Sequence, residues 1–171
     1  FQTGSGEIAV ANSKGTLVYT SFTDANISAI LTGEHDSSYA ATASQEVTEI
    51  DIDRFAEDLI SKSRLQKSTP RDLFAGKKPG EEMKFDVILE PAAAAEWLDF
   101  VSYTGFNGLA YLEEESFLCG RLNQKVMGEN VTIFDDGNNP TGYIFPFDFE
   151  GTPKKRVMFV ERGIGKNVAR D

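Results

Sequence analysis

The chain is nearly without the residues that most often bind transition metals. Its 171 residues contain one histidine, His35, and one cysteine, Cys119. A closed zinc site takes four ligands, mostly nitrogen and sulfur, so one chain of this composition cannot assemble such a site. The lone cysteine also excludes an internal disulfide bond, which is typical of a reducing compartment. We therefore expect a cytoplasmic chain that has no metal site and no cofactor of its own.

Long apolar runs and an excess of positive charge are absent as well. No stretch approaches the ~20 apolar residues that span a bilayer, and no signal-peptide pattern is present, so we expect no membrane contact. The 17 basic residues are outnumbered by 27 acidic residues, for a formal net charge of −10. Binding to DNA phosphates needs clustered Lys and Arg. The charge therefore argues against a nucleic-acid partner.

Alternating apolar residues and turn signals predict a β-rich first part. Strands over 7–12 and 16–22 flank a turn at 13–15, and further strands are predicted over 26–31 and 38–44. A first helix is then predicted from Asp51 or Asp53 to about Leu65. Its acidic first turn and basic last turn suit the helix dipole.

A second helix is predicted over 91–103. Pro91 suits its first turn, and Gly105 suits its end. An apolar stripe recurs at helical spacing and places Trp97 in the core; its members are Ala94, Trp97, Leu98 and Val101. An antiparallel pair of strands is expected around 161–163.

These elements together predict an α+β fold, with an antiparallel β-rich sheet and two main helices. We divide the chain into a β-hairpin region with a helix at 1–66, a linker at 67–84 and a second region at 85–171. The linker is predicted because Pro and Gly interrupt the sequence there.

A run of short motifs follows in fixed order through these elements. The motifs are A-N-S-x-G at 11–15, D-V-I-L-E-P at 86–91, F-x-x-G at 117–120, T-x-x-D-D at 132–136 and F-D-x-E-G-x-P at 147–153. In this order the chain resembles the TldD/PmbA family of proteases, members of which have been labelled modulators of DNA gyrase. The family's proteins are longer, so we expect a fragment from the central region of a larger TldD/PmbA-type protein.

The resemblance implies zinc-dependent proteolysis, but this chain departs from the family at the metal-binding segment. Zinc-bearing members carry His-Glu-x-x-x-His where this chain has Asp99, Phe100 and Thr104. Asp99 could supply one oxygen ligand, whereas threonine is a poor zinc ligand and phenylalanine cannot act as a general base. We therefore expect no catalytic residue and no metal ligand in this chain.

The resemblance is strongest to the zinc-free subunit called PmbA or TldE. Such subunits, as the resemblance implies, pair with a zinc-bearing TldD-like subunit in a metalloprotease that matures peptides and degrades unfolded polypeptides. The partner would hold the zinc, and the full-length protein would form a homo- or hetero-oligomer. Candidate contacts to the cleft or to the partner are Asp99, Thr104, Asp148 and Glu150. A structural role in a turn explains Asp148 and Glu150 equally well.

Two other classes of function stay open. One is a stand-alone β-rich module that binds peptides or proteins without a protease partner. The other is a metal-independent hydrolase, in which Glu96 and Asp99 would form an acid/base pair one helical turn apart, although a solvated helix face explains both residues. His35 is expected in an exposed polar connection, Cys119 as a buried packing residue and 135–140 as a turn.

Overall fold

Two antiparallel three-stranded sheets and three α-helices form the part of the chain that the computed structural model describes. The described residues are 1–34, 37–65, 75–76, 78, 80, 82–140 and 142–170. In chain order the elements are β1 (Gln2–Ala11), β2 (Leu17–Thr32), β3 (Ser37–Ser44), a 3₁₀ turn (Val47–Glu49), α1 (Ile52–Leu65), α2 (Pro91–Gly105), α3 (Gly108–Leu112), β4 (Ile133–Asp135), β5 (Val157–Glu161) and β6 (Ile164–Gly165). The predicted α+β fold is confirmed.

The first sheet has the order β1-β2-β3 and begins with the predicted hairpin. The Asn12 side chain accepts hydrogen bonds from the backbone N–H groups of Lys14 at 2.9 Å and Thr16 at 3.2 Å. Gly15 has φ +94°, a conformation that glycine adopts without steric cost. These contacts fix the turn between β1 and β2.

The prediction of two strands over 16–22 and 26–31 is wrong, because β2 is one strand of 16 residues. Its first half pairs with β1 and its second half pairs with β3, and both ladders include Ala25 and Asn26. Asp24, between the two predicted strands, stays in the ladder opposite Gly4. A Cβ at Gly4 would lie 3.0 Å from the Asp24 carboxylate, so glycine leaves that side chain room.

Helix α1 packs on β3 with the predicted bounds. The backbones approach closely because β3 places the small residues Ser38 and Ala40 in the buried layer. Ser38 Oγ donates a hydrogen bond to the backbone carbonyl of Leu59 at 2.9 Å. Most of the predicted linker lies outside the described residues, and so does His35.

The second sheet has the order β4-β5-β6 and supports the larger core. The predicted antiparallel pair around 161–163 is confirmed by β5 and β6. Rings of Phe106 and Phe159 stack with centroids 4.7 Å apart. The buried core residues are Phe106, Leu118, Phe159, Val160 and Val168.

Helix α2 has the predicted position and turns the predicted apolar stripe toward the core, apart from Trp97. Leu98 and Val101 pack against the core, whereas Trp97 is 47% exposed, so the prediction that Trp97 is buried is wrong. Because successive helical residues are about 100° apart, Trp97 lies at the edge of the apolar stripe, about 100° from Leu98. The core contacts the other edge of the stripe, which carries Leu98. The described positions 82–90, which carry most of the D-V-I-L-E-P motif, form no strand.

Leu118 supplies the clearest test of this core, because its side chain is fully buried at 0% exposure. We predict that Leu118→Ala lowers the free energy of unfolding by about 2–5 kcal/mol, since it removes buried methyl groups and leaves a cavity. Leu112→Ala is the matched control, because Leu112 is 78% exposed. Urea denaturation of both variants measures the difference, and equal losses would contradict the assigned core.

Candidate functional site

The residues that replace the zinc motif lie together on the solvent side of α2. Asp99, Phe100 and Thr104 are all exposed. The Asp99 and Thr104 side chains leave the helix about 140° apart, because they are five residues apart in sequence. They therefore do not converge on one point.

This helix does not fit a zinc ion. Threonine and a single carboxylate are a poor donor set, and Phe100 offers no atom that can accept a proton. Across the described ranges, no group of three or more His, Cys, Asp or Glu side chains is placed to hold a metal. We therefore assign no metal chemistry to α2.

Asp148 organises the loop that carries the F-D-x-E-G-x-P motif. Its carboxylate accepts hydrogen bonds from the backbone N–H groups of Thr152 at 2.8 Å and Glu150 at 2.9 Å. The bond from Thr152 is the main reason that the pKa of Asp148 lies below its ordinary value of 3.8, and desolvation opposes this effect. Asp148 thus has a structural role in a turn, whereas Glu150 points its exposed side chain away from the core.

The 147–153 loop packs on the β1–β2 hairpin. Gly151 has φ +86°, and a Cβ there would lie 2.7 Å from Thr16 Cγ2 and 3.4 Å from Val10 Cγ1. Both the conformation and the close approach therefore require glycine. This contact joins the second half of the chain to the first sheet.

The four candidate contact residues form two separate pairs. One pair, Asp99 and Thr104, lies on α2, and the other, Asp148 and Glu150, lies in the loop. Among the described residues, no hydrogen bond or ion pair connects the first pair with the second. Ser102 Oγ donates a hydrogen bond to the backbone carbonyl of Asp99 at 2.7 Å. A role of these four residues in a cleft or a subunit contact stays a prediction.

Two other motif residues have structural surroundings. Cys119 is half-buried rather than buried, and its Sγ lies 3.3 Å from the backbone carbonyl of Tyr111, which it can reach as a donor. The 135–140 segment is a turn, as predicted, in which Asp136 accepts a hydrogen bond from the backbone N–H of Asn138 at 3.2 Å.

Sequence reasoning missed two surface clefts, because each joins segments that are distant in sequence. One has a volume of about 550 Å³ and lies between the end of β3 and the loop near Tyr143, where the Gln45 amide donates to the Gly142 carbonyl. The other, about 360 Å³, lies between α1 and the start of α2. Lys62 bridges that second cleft, with Nζ 2.8 Å from Asp58 and 3.2 Å from Glu90.

The lowered pKa of Asp148 predicts a pH-dependent contribution to stability. The ionised carboxylate favours the folded state, so its contribution is present above the ordinary pKa of 3.8 and is lost as pH falls through the lowered pKa. We predict that Asp148→Asn lowers the free energy of unfolding at neutral pH and that this difference shrinks below pH 3.8.

Glu150→Gln is the control, because it removes the same charge from the same loop. It should leave the free energy of unfolding nearly unchanged at both pH values in urea titrations. A constant difference between wild type and Asp148→Asn across this pH range would contradict the assigned hydrogen bonds.

Comparison with known proteins identifies the second half of the chain. A family model described as the PmbA/TldA metallopeptidase C-terminal domain matches residues 82–171. The expected position in the centre of the family's proteins differs from the description of the family model, which is that of a C-terminal domain. The division of the chain at 66 and 85 stays a prediction.

Curated relatives match the chain over short stretches. An uncharacterized protein of Methanocaldococcus jannaschii is 32% identical over 89 residues, which are 52% of this chain and 21% of that protein. A metalloprotease of Archaeoglobus fulgidus is 45% identical over 56 residues, which are 33% of this chain and 13% of that protein. The chain therefore spans about a fifth or less of the length of these relatives.

A solved structure shares the fold of the whole chain. TldE from Thermococcus kodakarensis superposes with a TM-score of 0.73 at 19% sequence identity, covering 99% of this chain and 38% of TldE.

In the described part of the chain, no helix has the length and apolar character to cross a membrane. Because the family model covers more than half of the sequence, the chain belongs to the PmbA/TldD family.

Proposed function

We propose that the protein containing this chain is a PmbA/TldE-like subunit without zinc, which works with a zinc-bearing TldD-like subunit. The observation that carries this proposal is the exposed face of α2. By the resemblance to the family, Asp99, Phe100 and Thr104 stand there in place of the His-Glu-x-x-x-His of zinc-bearing members. The helix is retained, whereas the groups needed for metal-assisted hydrolysis are not.

The retained framework gives such a subunit a structural task. One complete metal site is enough for hydrolysis, so a second subunit can contribute by enclosing the substrate and excluding water. The exposed side of α2 and the ordered 147–153 loop are suited to forming walls of a cavity. In this proposal Asp99, Thr104, Asp148 and Glu150 lie at the cavity or at the subunit contact.

The names of similar proteins support this assignment. One relative is a metalloprotease, and the superposed structure is TldE. On this basis we propose a homo- or hetero-oligomeric assembly in the cytoplasm that matures peptides and degrades unfolded polypeptides.

A stand-alone module that binds peptides or proteins is the second candidate. The 550 Å³ cleft at Tyr143 favours it, because this cleft is formed by residues of the chain itself. The two candidates differ in whether activity depends on a zinc-bearing partner.

Peptide cleavage by the purified protein, alone and mixed with a zinc-bearing TldD-like relative, tests the proposal. We predict no cleavage of an unfolded peptide by the protein alone, and cleavage by the mixture that a chelator abolishes. The partner alone is the control, and its rate should be well below that of the mixture.

The same assay separates the alternatives. Cleavage by the protein alone that persists in chelator would contradict the proposal and favour the metal-independent hydrolase. A mixture no faster than the partner alone would also contradict it, and size-exclusion chromatography of the mixture would then test for the stand-alone binding module.

A further inference from the structure

Helix α2 presents a strip of three aromatic side chains to solvent. Trp97, Phe100 and Tyr103 are 47%, 68% and 69% exposed. At about 100° per residue these side chains occupy an arc about 120° wide. Trp97 lies at its inner edge, about 40° from Val101, and Phe100 and Tyr103 lie farther from the packed face. Leu98 and Val101 take the core side, and the hydrophobic core of the described residues includes none of the three rings. Adjacent exposed aromatic residues of this kind mark binding surfaces.

Acidic residues run along this aromatic strip. The same helical spacing places Glu96 between Phe100 and Tyr103, and places Asp99 beside Tyr103. Both carboxylate side chains are exposed. A ligand lying on the strip would therefore meet aromatic rings and negative charge together.

Every charged residue in the sequence around the strip is acidic. Between Lys84 and Arg121 the chain has no basic residue, and its seven carboxylates there are Asp86, Glu90, Glu96, Asp99, Glu113, Glu114 and Glu115. Lys62 of α1 lines the same cleft as Glu96, but it is already paired with Asp58 and Glu90, so the strip keeps an excess of negative charge. Charge complementarity therefore selects a positively charged occupant.

We propose that the α2 strip binds segments of unfolded polypeptide that combine Lys or Arg with apolar side chains. Aromatic faces attract cations, carboxylates pair with them, and the apolar side chains of the ligand cover the exposed rings. This inference rests on the proposed function and specifies the substrate class of the same cavity. It assigns Trp97, Phe100 and Tyr103 to binding and Glu96 and Asp99 to selection by charge.

Trp97 makes the proposal directly measurable, because it is the chain's only tryptophan. The probe is an unstructured synthetic peptide of Lys, Leu, Gly and Ser, compared with a peptide in which each Lys is replaced by Glu. We expect the Lys peptide to shift Trp97 emission to shorter wavelength and the Glu peptide to leave it unchanged. Added salt should weaken binding of the Lys peptide, because exposed charges are screened.

Variants with matched controls locate the binding surface by fluorescence anisotropy of the labelled Lys peptide. Glu96→Gln/Asp99→Asn should raise Kd by roughly two- to tenfold, as expected for two exposed charge pairs. Glu7→Gln/Glu57→Gln removes the same charge from exposed positions of β1 and α1 and should leave Kd unchanged. Phe100→Ala should raise Kd by about tenfold, whereas Tyr19→Ala, an exposed aromatic on β2, should not.

Three outcomes would overturn the proposal: no shift of Trp97 emission, equal affinity for the Lys and Glu peptides, or equal losses in the α2 and control variants. Circular dichroism of each variant confirms that the fold is retained. Binding without partner-dependent cleavage would leave this inference standing and contradict the proposed function. Partner-dependent cleavage without binding to α2 would support the proposed function and contradict this inference.

Discussion

The second half of the structure depends on the close approach of the 117–127 segment to three glycines. A Cβ at Gly165 would lie 2.8 Å from Leu118 Cδ2, and a Cβ at Gly105 would lie 2.6 Å from Phe117 Cε1. At Gly163 a Cβ would lie 2.5 Å from the Met127 carbonyl. These contacts let the fully buried Leu118 close the core between α2 and the β5–β6 hairpin, so the end of α2 is fixed by a constraint that larger residues could not satisfy.

The orientation of α2 connects this constraint with function. Because Leu98 and Val101 take the core side, the three residues that replace the zinc ligands and the general base face solvent. That side offers aromatic rings and carboxylates rather than convergent metal ligands.

The sequence predicts the local features of this fold well. The hairpin at 13–15, both long helices and the β5–β6 pair follow from turn residues, helix ends and apolar spacing, which act over a few residues. The continuity of β2 could not be predicted, because Gly4 makes room for Asp24 from a different strand. The prediction that Trp97 is buried fails because the apolar stripe of α2 is wider than the part of it that contacts the core. Spacing alone does not tell which edge of a stripe the core covers.

The candidate site, too, is only partly predictable from the sequence. The loss of the zinc motif is visible in the sequence, and so is the motif around Asp148. Packing of the 147–153 loop on the β1–β2 hairpin is not visible there, because it joins Gly151 to Val10 and Thr16 across most of the chain. The aromatic strip requires knowledge of which face of α2 is buried.

The central claim is that this chain supplies no metal site, and zinc binding by the purified chain tests it most directly. Competition with a chelating dye, followed by elemental analysis of the dialysed protein, measures affinity and stoichiometry. The account predicts no zinc retained in stoichiometric amount, because one histidine and one cysteine cannot complete a closed site. One tightly held zinc ion per chain would contradict it.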